Sequence, residues 1–102
     1  MEPDELLEEL QHLAERLQVL VRYESTGGRV GRCLLRGPER PAGEMLILID
    51  KYLPLRDKIE GLAQTLADLD YEALYMPELV RDLLHSRRER ARQLPLPFPR
   101  VS

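Results

Sequence analysis

His12, His85 and Cys33 are the only imidazoles and the only thiol in this 102-residue chain, and they limit early the reactions it can run. A zinc site draws on histidine, cysteine and carboxylate ligands at short recurring spacings, and no two of these three residues stand at such a spacing. A lone cysteine also excludes an internal disulfide and a cysteine cluster, and it fits a reducing compartment. Nucleophilic catalysis needs a hydroxyl or thiol poised beside a base, and Ser25, Ser86 and Ser102 lack one in a suitable sequence context. The Gly27-Gly28 pair invites comparison with a phosphate-cradling loop. No Lys-Ser or Lys-Thr follows it, however, and it leads towards a strand and not a helix. Asp68 and Asp70 read as a solvated helix end, not an acid–base dyad. The expectation from these residues is a protein that is not an enzyme and carries no metal or cofactor.

Arginine supplies the remaining chemistry. Arg22, Arg29, Arg32, Arg36 and Arg40 form one group, and Arg87, Arg88, Arg90 and Arg92 a second. Either could contact phosphates. The pI of 5.4 and the aromatic content of 5% argue against a nucleic-acid platform. Charge also alternates in blocks, net −5 over 1–19, +3 over 20–43, −4 over 44–72 and +3 over 73–102. Arginines in such a pattern are expected to pair with acids from neighbouring elements, so nucleic acid is not the expected partner. The chain has no asparagine, and its lysines are Lys51 and Lys58 alone. That bias suits heat adaptation, although a GC-rich genome produces it too.

The elements that would carry these residues are legible from apolar spacing. Leu6, Leu7, Leu10, Leu13, Ala14 and Leu17 repeat with helical period. Pro3 suits the first turn, and Asp4, Glu5, Glu8 and Glu9 stand where the helix dipole favours acid. His12 falls away from the apolar stripe and should face water. Val19, Val21 and Tyr23 alternate as a strand, Ser25-Thr26-Gly27-Gly28 breaks it, and Val30 to Arg36 forms a second strand paired with the first through a hairpin at the glycines. Residues 37–43, rich in glycine and proline, read as a loop. Met45 to Asp50 is apolar on both faces, which predicts a central or doubly covered strand. Leu53-Pro54 opens a second helix with Leu55, Ile59, Leu62, Ala63, Leu66 and Leu69 inward. A third begins at Pro77, with Leu79, Val80, Leu83 and Leu84 inward. Pro95, Pro97 and Pro99 end it and predict an extended tail in which Leu96 and Phe98 could dock on the protein or on a second subunit.

The polar side of the second helix carries Asp57, Gly61, Gln64 and Asp68, the candidate binding surface. Gly61 costs about 1 kcal/mol against alanine in a helix interior, so either another segment approaches closely there or the position is simply tolerated. ILIDKYLPLRDKIEGLAQTLADLD and YMPELVRDLL, read with the order of elements before them, resemble the ImmA/IrrE family of zinc-metallopeptidase-like proteins. There a strand and a basic turn lead into a helix bearing H-E-x-x-H, and a Leu-Met-Pro segment opens a later helix. The resemblance places Gln64 and Thr65 at the positions of the first histidine and the glutamate, and Asp68 at that of the second histidine. With those groups replaced, the metal and its activated water are lost. The segment before Met76-Pro77 is also too short for a third ligand. The resemblance therefore implies a minimal, inactive relative.

Together these readings predict an α+β domain over residues 1–94. It has one N-terminal helix, a three-stranded antiparallel sheet with the third strand least exposed, and two C-terminal helices packed on one face. Residues 95–102 form the tail. The longest apolar run, Met45 to Ile49, falls far short of the ~18 residues of a membrane span. Acids follow Met1 where a secretory leader would be basic and then apolar, so a cytoplasmic location is expected. The leading functional expectation is a non-enzymatic interaction module, self-associating as a homodimer or binding a protein partner. The alternatives are a hydrolase remnant using Asp57, Asp68 or His85, and a small nucleic-acid-binding regulator.

Overall fold

Six elements follow the expected order in the computed structural model, which describes residues 1–93. The tail at 95–102, with Leu96 and Phe98, lies outside the described residues. Helix α1 spans Pro3–Arg16, with Pro3 in its first turn and Asp4 and Glu5 beside its N-terminal dipole. Leu10, Leu13 and Ala14 are buried and His12 is exposed. Gln18, at φ 61°, turns the chain directly from α1 into the sheet.

Strands β1 (Val19–Glu24), β2 (Val30–Gly37) and β3 (Arg40–Asp50) form one sheet in the order β1-β3-β2. The third strand is central, as its apolar run predicts. The antiparallel meander is corrected: β1 runs parallel to β3, from Val19 opposite Met45 to Glu24 opposite Asp50, and only β2 is antiparallel to it. The hairpin expected at Gly27-Gly28 is likewise replaced. The tight turn is at Pro38-Glu39, between β2 and β3, and β3 takes in most of the expected 37–43 loop. Pro41 fits there because a register shift between Leu35 and Gly37 relaxes the ladder, and proline is tolerated at such irregularities.

The glycine pair instead routes the chain across the end of β3. Gly27 and Gly28 sit at φ 72° and 81°, a left-handed conformation that glycine adopts without steric cost. The Asp50 carboxylate, 5% exposed, accepts the Gly28 N–H and, at 2.9 Å, the Tyr52 N–H. A buried charge persists only when hydrogen-bonded. Donation from Tyr52 first, and then from Gly28, holds the Asp50 pKa below the ordinary carboxyl value. Lys51 N–H to Glu24 O at 2.9 Å and Asp50 N–H to Arg29 O at 3.2 Å complete the lacing.

Helix α2 (Leu55–Ala67) and α1 pack on one face of the sheet, whereas α3 (Glu78–Gln93) packs on α2 and touches α1. Val21, Tyr23, Val30, Met45, Ile47 and Ile49 face this helical layer around Leu62, Leu66, Val80 and Leu84, which are fully buried. Two expected inward positions are corrected. Leu55, in the first turn of α2, is 38% exposed, and Leu79 is 51% exposed because the stripe of α3 is carried by Val80 and Leu84. By strand alternation, Leu20, Leu46, Leu48, Cys33 and Leu35 lie on the opposite sheet face, which no described helix covers.

Arg88 joins α3 to the end of α2. Its guanidinium donates to Ala67 O at 2.9 Å, Leu69 O at 2.7 Å and Glu72 Oε1 at 2.8 Å, and lies 4.4 Å from the Tyr71 ring centroid. The carbonyls that a helix leaves unpaired at its C-terminus are thus satisfied from a neighbouring helix. No described helix is long and apolar enough to cross a membrane.

Candidate binding groove between β2 and α2

Gly61 marks where α2 meets the sheet. A Cβ built there would stand 2.5 Å from Val30 Cγ2, so the absent side chain admits a valine methyl. Of the two readings of this glycine, close approach is the one the structure supports. The position is half-buried against β2 and does not lie on a solvated side.

Beyond Gly61 the strand and helix diverge into an open groove of about 250 Å³, lined by Val30, Gly31 and Arg32 from β2 and by Gln64, Thr65 and Asp68 from α2. Residues at i, i+1 and i+4 share a helix flank, which is why Gln64, Thr65 and Asp68 arrive together. Arg32 reaches Asp68 at 3.7 Å across the mouth, both half-exposed. The Thr65 hydroxyl donates to Gly61 O at 2.9 Å, within the helix. The Gln64 amide donates to Glu60 Oε1 at 3.2 Å.

On the other side of α2, Gln64 and Asp68 also line a recess of about 170 Å³ with Arg87, Arg90 and Ala91. Glu60 takes both Nε and Nη2 of Arg87, the latter at 2.9 Å, and lies 3.9 Å from Arg90. The Arg87 hydrogen bonds hold the Glu60 carboxyl below its ordinary pKa and raise that of Arg87. Arg87, Arg88 and Arg90 therefore face acids of α2 and the segment after it, as charge blocking predicts. In the hairpin group, Arg32 meets Asp68 and Arg40 meets Glu44 at 3.5 Å.

Of the four residues forecast as a binding surface, Gln64 and Asp68 line the groove, and Gly61 borders it through its contact with Val30. Asp57 does neither: it stands exposed in the first turn of α2, outside the residues that line the groove. Asp57, Asp68 and His85 form no cluster, and among the described residues no three His, Cys, Asp or Glu side chains could hold a metal ion. Sequence reasoning read Val30 as a strand residue and Arg32 as one of an arginine group, and placed neither beside α2. Strand alternation would have placed both on the face of Ile47 and Ile49, but only once β2 was paired with β3.

Comparison of the chain with protein-family models, with curated proteins and with solved structures finds no match in any of the three.

Proposed function

We propose that this chain is a non-enzymatic binding domain that takes an extended peptide segment along β2 and into the groove beside α2. The observation that carries the reading is the pairing of an open strand edge with a built recess. β2 is an edge strand, and among the described residues no strand pairs with its outer side, the arrangement that strand addition uses. Val30 and Arg32 of the same strand form one wall of the groove, and Leu34, two residues on, is 50% exposed. Main-chain pairing supplies affinity in this mode, and pockets for alternate side chains supply selection. Here selection falls to the Arg32–Asp68 pair and the Gln64 amide.

The resemblance to metallopeptidase-like proteins supports the same place. Gln64, Thr65 and Asp68, which it sets at the positions of the metal-binding motif, line this groove. An amide, a hydroxyl engaged with its own helix and one carboxylate paired with Arg32 can hydrogen-bond a ligand but do not make up the ligand set of a zinc site. The test is titration of isotope-labelled protein with short peptides of alternating apolar residues carrying one acidic or one basic side chain. Amide shifts should fall on 30–35 and 64–68, and exchanging the charges, Arg32→Asp with Asp68→Arg, should alter which peptide binds. Shifts confined to other surfaces, or none with any peptide, would overturn the reading.

A further inference from the structure

The sheet face turned away from the helices is largely apolar, and no described helix covers it. Cross-strand register places Leu20, Leu46 and Cys33 in one row across β1, β3 and β2, with Arg22, Leu48 and Gly31 in the next, and Glu44 opposite Leu35 on the other side. An antiparallel strand with one solvated face normally alternates polar with apolar residues. Here Leu46 is only 5% exposed although it belongs to no part of the helical core, and Leu20 and Cys33 flank it at the surface.

We infer that this face packs against the same face of a second copy of the chain, about a two-fold axis that lies over the Leu20–Leu46–Cys33 row, perpendicular to the strands. Face-to-face sheets prefer such nearly aligned strands. The operation sets each row residue opposite its own equivalent and exchanges the rows on either side. Leu35 then lies over Gly31 of the second copy, where a Cβ would meet nothing within 4 Å in the single chain, so a large side chain fills the gap left by the smallest. Glu44 lies over the second copy's Leu48 and beside its Arg22, matching acid to base twice. One symmetry operation satisfies both size and charge, as an isologous interface requires.

The matched part of the sheet, three strands about 4.8 Å apart and about six residues of ~3.3 Å each, offers a footprint of about 300 Å². That is below the ~800 Å² per partner of a stable complex, so the association is reversible and concentration-dependent. It leaves the groove beside α2 open, because that groove lies on the helical side and shares with this face only Gly31, which has no side chain.

Sedimentation velocity of the full chain over a wide concentration range tests the inference. A monomer–dimer equilibrium is expected. Gly31→Leu should weaken it about tenfold or more through overpacking while leaving the unfolding midpoint of the monomer near that of the parent. Arg22→Glu should weaken dimerisation, and adding Glu44→Arg should restore it. Facing sheets lie about 10 Å apart, too far for a Cys33–Cys33 disulfide, but a short bis-maleimide should link the two thiols. A chain still monomeric at about 1 mM, a dimer indifferent to Gly31→Leu, or failure of Cys33 to cross-link in the dimer overturns the inference.

Discussion

Replacing Gly61 by alanine should destabilise the protein, although the same change in an unobstructed helix does the reverse. Relief of the glycine penalty is worth about 1 kcal/mol in a helix interior. Against it stands the new Cβ, 2.5 Å from Val30 Cγ2, 3.2 Å from Val30 Cβ and 3.3 Å from Cγ1, where carbon pairs settle at about 3.5–4.0 Å. Valine is stiff at χ1, so the strand and helix must separate, and overpacking of this kind costs about 1–3 kcal/mol. The net expectation is a loss of about 0–2 kcal/mol, with each kcal/mol lowering Tm by about 4–8 °C in a chain of this size. Val30→Ala removes the two methyls in question. In that background Gly61→Ala should gain up to about 1 kcal/mol, giving a coupling energy of about 1–3 kcal/mol. Urea denaturation of the four proteins, with m unchanged across the set, supplies the cycle. A Gly61→Ala change that stabilises both backgrounds equally would show that β2 does not press on α2 at this point, and the groove would lose its anchor.

Three further outcomes follow from the same contacts. Arg88→Ala should cost about 3 kcal/mol, from charge-assisted bonds to Ala67 O, Leu69 O and Glu72 and the Tyr71 stacking; Arg88→Lys should recover less than half, since one ammonium cannot serve three acceptors set apart in a fork, and thermal unfolding of both variants checks this. Asp50 and Glu60 have lowered folded-state pKa values, so their stabilisation is complete above the ordinary carboxyl range and is lost as pH falls below about 4. Asp50→Asn should therefore be less stable than the parent at pH 7 and approach it near pH 3 in denaturant titrations. Zinc in excess should leave Tm unmoved, whereas a site filled at a hundred times its Kd would add about 2.7 kcal/mol.

Much of the fold is written locally. The spacing of Leu10, Leu13, Ile59, Leu62, Val80 and Leu84 is enough to place three helices, and the doubly apolar Met45–Ile49 run marks the central strand. Pairing is a different kind of information. Gly27-Gly28 has the composition of a hairpin turn, and nothing within a few residues tells whether the chain folds back or crosses over. In the structure Gly28 is tied to the Asp50 carboxylate, 22 residues away, a partner that no local window contains. Pro38 and Pro41 hid the real hairpin, because a turn and a register irregularity look alike in composition. The candidate site divides along the same line. Gln64 and Asp68 follow from helical period, whereas Gly61 left close approach and simple tolerance both open until its contact with Val30 was seen. Arg32 stood out as one of an arginine group, but its place opposite Asp68 could not be read until its strand partner was known, and Asp57 lies outside the groove because a helix projection cannot say where along its length the neighbouring strand comes close.

The strand order carries a consequence for how the chain assembles. β2, β3 and α2 follow one another through short links, so they can settle early, each step closing a small loop. β1 must wait: its register sets Val19 against Met45, and its slot exists only after β3 has turned back from β2. Parallel pairing over such separations is slow to form. The N-terminal helix and its strand would then close the structure last, and mutations there should speed unfolding while leaving the refolding rate nearly untouched.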